Sequence, residues 1–98
     1  MSYLVSLSLD LKPASQGKYE IVNEIMSANG LFRFINSSSG NKVDLPNNTY
    51  IGEFEGEGAA KVRSDLAAAI EQAFKEKGVE SHFFIAVGSG WAWSSRAT

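Results

Sequence analysis

The chain has 98 residues, a hydrophobic fraction of 44% and a formal net charge of −2, which suits one globular domain with a single core. It has no cysteine, which excludes disulfides, thiolate zinc sites and cysteine nucleophiles. The negative charge and the lack of a basic stripe argue against strong, salt-dependent binding of nucleic acid by one chain. The sequence shows no signal peptide and no membrane-spanning segment, so we expect a cytosolic protein.

The first elements in the chain are a predicted strand and a predicted helix. Residues 3–10 alternate along a predicted strand. One face has Tyr3, Val5, Leu7 and Leu9, and the opposite face has Leu4, Ser6, Ser8 and Asp10. Pro13 ends the strand, and Ser15 is a candidate helix cap. The helix that follows has an apolar side formed by Tyr19, Val22, Ile25 and Met26, widened by Ile21. Asn29-Gly30 should end it.

Two further strands are predicted in the middle of the chain. Residues 31–35 are rich in aromatic side chains and indicate a second strand. Residues 36–48 contain three consecutive serines, a glycine and a proline, and predict a long polar loop. Residues 49–55 form a third strand with Tyr50 and Phe54 on one face and Ile51, Glu53 and Glu55 on the other.

The last elements are the clearest helix and a fourth strand. Residues 59–77 carry apolar side chains at helical spacing, namely Val62, Leu66, Ala69, Ile70, Ala73 and Phe74. Glu71 and Lys75 form a favourable i, i+4 pair on its solvent side, and Gly78 suits its end. In the strand at residues 81–87, Phe83, Ile85 and Val87 alternate with His82, Phe84 and Ala86.

The order of these elements, β-α-β-β-α-β, predicts an α+β, ferredoxin-like split β-α-β sandwich. Its antiparallel sheet has the order 4-1-3-2, with both helices on one face, and the single domain spans residues 1–98. Another α+β arrangement of the same strands is the alternative.

Asp10 and His82 form the first candidate site. In the predicted sheet the fourth strand runs antiparallel beside the first, so both side chains should share one end of the uncovered face. A carboxylate beside an imidazole can orient a general base or bind a divalent metal. The alternative is a surface aspartate that ends a strand and a half-exposed histidine.

Three other features favour structural explanations. Glu53, Glu55 and Glu57 could bind a cation, but placement near the positive end of the following helix is the simpler explanation. The Gly56–Lys61 segment lacks the spacing of a phosphate-binding loop and is a turn. The serines at 37–39 have no signature of a serine hydrolase and suit a solvated loop.

Trp91 and Trp93 follow a Gly88-Ser89-Gly90 hinge, and alternation puts both indoles on one side of an extended segment. They either pack on the chain's own core or lie in a fifth strand that pairs with another subunit, where tryptophans are typical anchors.

The opening residues 3–10, ending in Asp10, and the strand at residues 83–88 with its tryptophan tail resemble the small ferredoxin-like proteins that include CRISPR spacer-acquisition endoribonucleases, VapD toxins and the GhoS antitoxin. The resemblance implies a homodimer, a C-terminal strand that completes the partner's sheet, and a metal-binding role for Asp10 at the dimer interface. Members often carry Asp and Asn after the first strand, where this chain has Leu11-Lys12-Pro13.

Two functions follow. The first is a cytosolic homodimer of a defence, mobile-element or toxin–antitoxin type, with weak or absent magnesium-dependent RNA cleavage at Asp10 and His82. The second is a non-enzymatic module that binds a protein partner through its edge strand or uncovered sheet face. The interface residues predicted in either case are Leu4, Ile51, Phe84, Trp91 and Trp93.

Overall fold

A computed structural model describes residues 1–12 and 16–98 of the chain. It is an α+β structure with the elements β1 (Ser2–Leu11), α1 (Gln16–Ala28), β2 (Phe34–Asn36), β3 (Lys42–Asp44), β4 (Thr49–Glu55), α2 (Ala59–Glu76) and β5 (Ser81–Gly88). The predicted strand stop at Pro13 and helix cap at Ser15 lie outside the described residues. None of the helices in the described ranges is long and apolar enough to cross a membrane.

The main sheet has three antiparallel strands in the order β4-β1-β5. The central strand β1 pairs with β4 from Ser2–Glu55 to Ser8–Thr49, and with β5 from Leu4–Gly88 to Leu11–Ser81. Three of the four predicted strands therefore occupy the predicted relative positions. Within the described ranges β5 pairs only with β1, so its outer edge carries no second ladder.

The predicted second strand, residues 31–35, is not a full strand of this sheet. Its one link to the sheet is an isolated bridge in which the amide nitrogens and carbonyls of Phe32 and Ile51 bond at 2.9 and 2.8 Å. The chain then leaves the sheet and forms a separate two-stranded hairpin from β2 and β3. The sheet order 4-1-3-2 is therefore not reproduced at its last position.

The β2–β3 hairpin corrects the prediction of a continuous polar loop over residues 36–48. The serine-rich segment is the hairpin turn, in which the amide of Ser37 donates to the carbonyl of Asn41 at 2.8 Å. Gly40 takes φ +86° there, a conformation that glycine adopts without a steric penalty. The ammonium of Lys42 lies 4.7 Å from the Phe34 ring centre, a cation–π contact across the two strands.

The hydrophobic core lies between the main sheet and the two helices. The inward residues of β1 (Tyr3, Val5, Leu7, Leu9 and Leu11) are all buried, as the alternating pattern predicted. Helix α1 contributes Val22, Ile25 and Met26, and α2 contributes Val62, Leu66, Ile70 and Phe74. The predicted core position Ala69 is instead exposed, because the buried stripe of α2 advances strictly by four residues and leaves Ala69 on its flank.

Both helices end near the glycines that were expected to end them, Gly30 and Gly78. The amide of Leu31 donates to the carbonyl of Met26, and the amide of Val79 donates to that of Phe74, at 2.8 and 2.9 Å. These bonds span five residues, as in a Schellman motif, and the glycine before each donor, Gly30 or Gly78, has a positive φ. The buried residues Leu31 and Val79 thereby turn each chain back towards the sheet.

The end of α1 lies very close to β4. A Cβ atom built on Gly52 would lie 2.2 Å from the carbonyl oxygen of Gly30 and 2.8 Å from the ring of Phe54. Only glycine fits here without moving backbone, and this close approach fixes α1 against the edge strand of the sheet.

Candidate functional site

One face of the main sheet is turned away from both helices, and we call it the open face. The pairing register gives it the residues Leu4, Ser6, Ser8, Asp10, Thr49, Ile51, Glu53, Glu55, His82, Phe84, Ala86 and Gly88. Phe32 lies opposite Ile51 in its bridge and so belongs to the same face. The middle of the face mixes apolar side chains with Ser6, Ser8 and Thr49, and the face has acidic residues at one end and Asp10 and His82 at the other.

Asp10 and His82 are direct cross-strand partners in the β1–β5 ladder. The prediction that they share the same face and the same end of the sheet is confirmed. Both side chains are exposed, and no hydrogen bond or ion pair between them is found in the part of the chain that the structure describes. The fold places the pair together, and its chemical role stays a prediction.

The two side chains line a cavity of about 320 Å³ together with Ser8, Leu9, Asn47, Asn48 and Phe84. Asn48 has φ +65°, an unusual backbone conformation for a residue other than glycine, and its carbonyl accepts from the Leu9 amide at 3.2 Å. That contact holds the loop before β4 against the end of β1. The cavity is therefore built from two strands and one loop.

One chain offers a single carboxylate to a magnesium ion at this place. Magnesium prefers near-octahedral oxygen ligation, whereas Asp10 is the only carboxylate among the residues that line the cavity. Throughout residues 1–12 and 16–98, no group of three or more His, Asp or Glu side chains is arranged to bind a metal. A magnesium ion at Asp10 would take its other oxygen ligands from water, a substrate or a second chain.

The acidic residues at the other end of the open face lie in ordinary surface positions. Glu53 and Glu55 share the open face, as predicted, and the Glu55 carboxylate lies 3.4 Å from the amino terminus at Met1. Glu57 is exposed in the segment before α2.

The serines at 37–39 have a local structural role, because the hydroxyls of Ser37 and Ser39 bond to each other at 2.9 Å inside the hairpin turn.

Large apolar side chains are exposed on the open face. Phe84 is 66% exposed and Phe32 is 39% exposed, while Leu4 and Ile51 are half-buried. In the register, Ile51, Ser6 and Ala86 form one row across the sheet, and Phe84 lies in the next row towards Asp10. Ser6 and Ser8 of the central strand lie between the two outer strands, so these apolar side chains share the surface with hydroxyl groups. We call Leu4, Phe32, Ile51 and Phe84 the apolar strip, and the chain's own helices do not cover it.

The tryptophan tail is outside the core. Residues 89–98 contain no helix or strand, Trp93 is 39% exposed and Trp91 is half-buried. Neither indole belongs to the core or to the partly buried residues that pack against it. Packing on the chain's own core is therefore not observed, and the fifth strand is not formed in the single chain.

A second group of polar residues was missed by the sequence analysis. The Arg33 guanidinium donates through Nη2 to Asn47 Oδ1 at 2.9 Å, and the Tyr50 hydroxyl donates to Asn23 Oδ1. Tyr19 and Asn48 complete a cavity of about 280 Å³ with Asn23, Arg33 and Asn47. The partners lie 14 and 27 residues apart in the chain, and no motif links them.

Burial alters the acidity of Tyr50. Its side chain is buried, and burial raises the pKa of Tyr50 above its usual value of about 10, against the opposing effect of the Arg33 charge. The phenol is therefore a neutral hydrogen-bond donor to Asn23 at physiological pH.

No protein-family model matches the chain, and no curated protein matches it either.

Proposed function

We propose that the protein is a ferredoxin-like interaction module whose open face binds a second copy of the chain. The observation that carries the proposal is the uncovered apolar strip, in which Phe84 is 66% exposed and Leu4 and Ile51 are half-buried. Exposed apolar side chains that are grouped on one face favour a partner-binding role, whereas single scattered ones do not. In this proposal the second strand of the ferredoxin-like order is reduced to the Phe32–Ile51 bridge.

A second copy is the partner that best matches the rest of the molecule. The outer edge of β5 has no ladder within the described ranges, and an unpaired edge is a template for strand addition. The segment after Gly90 has no strand of its own and carries two indoles outside the core. Exchange of this tail between two chains would pair the edge and cover the tryptophans at the same time.

The proposal is tested by placing a charged side chain in the apolar strip. Phe84→Asp should convert a dimer to a monomer in sedimentation velocity, because a buried unpaired carboxylate is costly. Ala68→Asp, on the exposed side of α2, adds the same charge away from the open face and should leave the dimer intact. Equal sedimentation of both variants as dimers would defeat the proposal.

Metal-dependent RNA cleavage is a second candidate, and it depends on the dimer. The observation in its favour is the direct pairing of Asp10 with His82 on the open face. Two copies would supply two Asp10 carboxylates, which one chain cannot. The resemblance implies a defence, mobile-element or toxin–antitoxin setting in the cytosol for such a dimer.

The RNA-cleavage candidate is tested with labelled single-stranded RNA, magnesium and a chelator. Asp10→Asn should abolish any magnesium-dependent cleavage, while Asp44→Asn, an exposed position on β3, should retain it. Cleavage that is equal in the two variants would exclude Asp10 as the catalytic residue.

A further inference from the structure

The cavity of about 280 Å³ beside α1 contains one full positive charge, that of Arg33. Its other lining residues are Tyr19, Asn23, Asn47 and Asn48, so no carboxylate is among them. Within the described ranges no acidic side chain forms an ion pair with Arg33. Glu24 lines a neighbouring cavity with Asn23 and Arg33, but because it forms no ion pair with Arg33 within the described ranges, the guanidinium charge is available to a bound anion.

The internal hydrogen bonds of this cavity leave it rich in donors. The Arg33 guanidinium can only donate, so its 2.9 Å bond uses one of the two lone pairs of the Asn47 amide oxygen. The Tyr50 hydroxyl uses one lone pair of the Asn23 amide oxygen in the same way. Both side-chain NH₂ groups and the remaining guanidinium N–H groups are then available as donors. Such a set favours an ionised ligand with several acceptor oxygens.

The number of donors favours a phosphate over a carboxylate. A phosphomonoester has three terminal oxygens, whereas a carboxylate has two, and Arg binds both in a bidentate manner. Asn47 and Asn48 also line the neighbouring cavity that contains Asp10 and His82. An organic group attached to the phosphate can extend across this loop, where the Asp10 carboxylate accepts hydrogen bonds from hydroxyl groups.

We propose that the Arg33 cavity binds the phosphate of a phosphorylated, hydroxyl-bearing small molecule such as a sugar phosphate. Arg33 neutralises the phosphate, the amides of Asn23 and Asn47 donate to its oxygens, and Asp10 accepts from a hydroxyl of the attached group. The phosphate-binding part of the site does not depend on the dimer, because Tyr19, Asn23 and Arg33 lie off the open face, whereas Asp10 lies at one end of that face. The strip and the phosphate site can therefore be tested separately.

The test is a titration of the full chain with ribose 5-phosphate, inorganic phosphate and ribose, followed by nuclear magnetic resonance. Ribose 5-phosphate should bind more tightly than inorganic phosphate, and ribose alone should not bind. The side-chain NH₂ signals of Asn23 and Asn47 should shift on binding. No shift of these signals at about 10 mM ribose 5-phosphate, tenfold above a millimolar Kd, would overturn the proposal.

Two arginine variants separate the site from general charge. Arg33→Gln should weaken ribose 5-phosphate binding at least about tenfold, the loss expected for one charged hydrogen-bond partner. Arg63→Gln removes an equal charge from an exposed position on α2 and should leave the affinity unchanged. Equal weakening in both variants would contradict a defined site.

Discussion

Asp10 and His82 lie directly opposite each other on β1 and β5, at one end of the open face. The pairing follows from the antiparallel register, in which each residue from Leu4 to Leu11 has a partner in β5. Because both side chains are exposed, the fold gains little from them, and their position is available for chemistry or binding.

Asp10→Asn should therefore leave the stability nearly unchanged. The carboxylate is exposed and forms no ion pair within the described residues, and surface substitutions of this kind change the free energy of unfolding by about 0.5 kcal/mol or less. Thermal denaturation of the wild type and of Asp10→Asn measures the difference in stability. A loss of stability as large as that of a core substitution would show a structural role for Asp10.

Gly52→Ala should destabilise the protein by about 1–3 kcal/mol, the usual cost of forcing extra atoms into a packed region. The added Cβ would lie 2.2 Å from the Gly30 carbonyl oxygen, a backbone atom that cannot move alone. Gly88→Ala is the matched control in the same sheet, since nothing lies within 4 Å of its added Cβ. Urea denaturation should separate the two variants, and equal stability would contradict the close approach of α1 to β4.

The burial of Tyr50 predicts a loss of stability at high pH. Its pKa is raised in the folded protein, so the unfolded chain loses this proton first as the pH rises. The stabilisation is complete below about pH 10, the unfolded pKa, and decreases as the pH rises from there through the folded pKa. Stability measured from pH 8 upwards should show this decrease in the wild type.

Two variants test whether Tyr50 causes this pH dependence of stability. Tyr50→Phe should remove the part due to this phenol, and at neutral pH it should cost about 1 kcal/mol because Asn23 loses its hydrogen-bond donor. Tyr3→Phe, which keeps the Tyr50–Asn23 bond, should retain the decrease. An unchanged pH profile in Tyr50→Phe would show that the phenol is not held neutral by burial.

The regular elements could be predicted because their patterns are periodic. Alternation predicted the buried side of β1. Helical spacing predicted Val62, Leu66, Ile70 and Phe74 on α2, together with Ala69, which is exposed, and Ala73, which is half-buried. That Asp10 and His82 share one end of the open face was predictable from the antiparallel topology, whereas their direct pairing depends on the register, which the structure shows.

The rest of the site has no periodic signal. Strands of three residues, as in β2 and β3, are too short to show alternation. The polar residues of the turn between them therefore led to the prediction of a loop. Arg33 meets Asn47, and Tyr50 meets Asn23, only because the hairpin and α1 come together in the folded chain.

The tail provides a test of chain exchange. Deletion of residues 90–98, which removes both tryptophans, should convert the dimer to a monomer in light scattering, since the indoles and the added strand would be lost. Deletion of residues 94–98 keeps both indoles and should leave the dimer. A dimer that survives the longer deletion would show that the tail is not exchanged.

The most direct measurement concerns Ala86, an exposed residue beside the apolar strip. The chain has no cysteine, so Ala86→Cys and the control Ala68→Cys on α2 each provide one thiol for labelling by a maleimide. If a second copy covers the open face, the Ala86→Cys thiol should react slowly at high protein concentration and faster on dilution. The Ala68→Cys thiol should react at one rate throughout. Equal, concentration-independent reaction of both thiols would contradict an open face that binds a second copy.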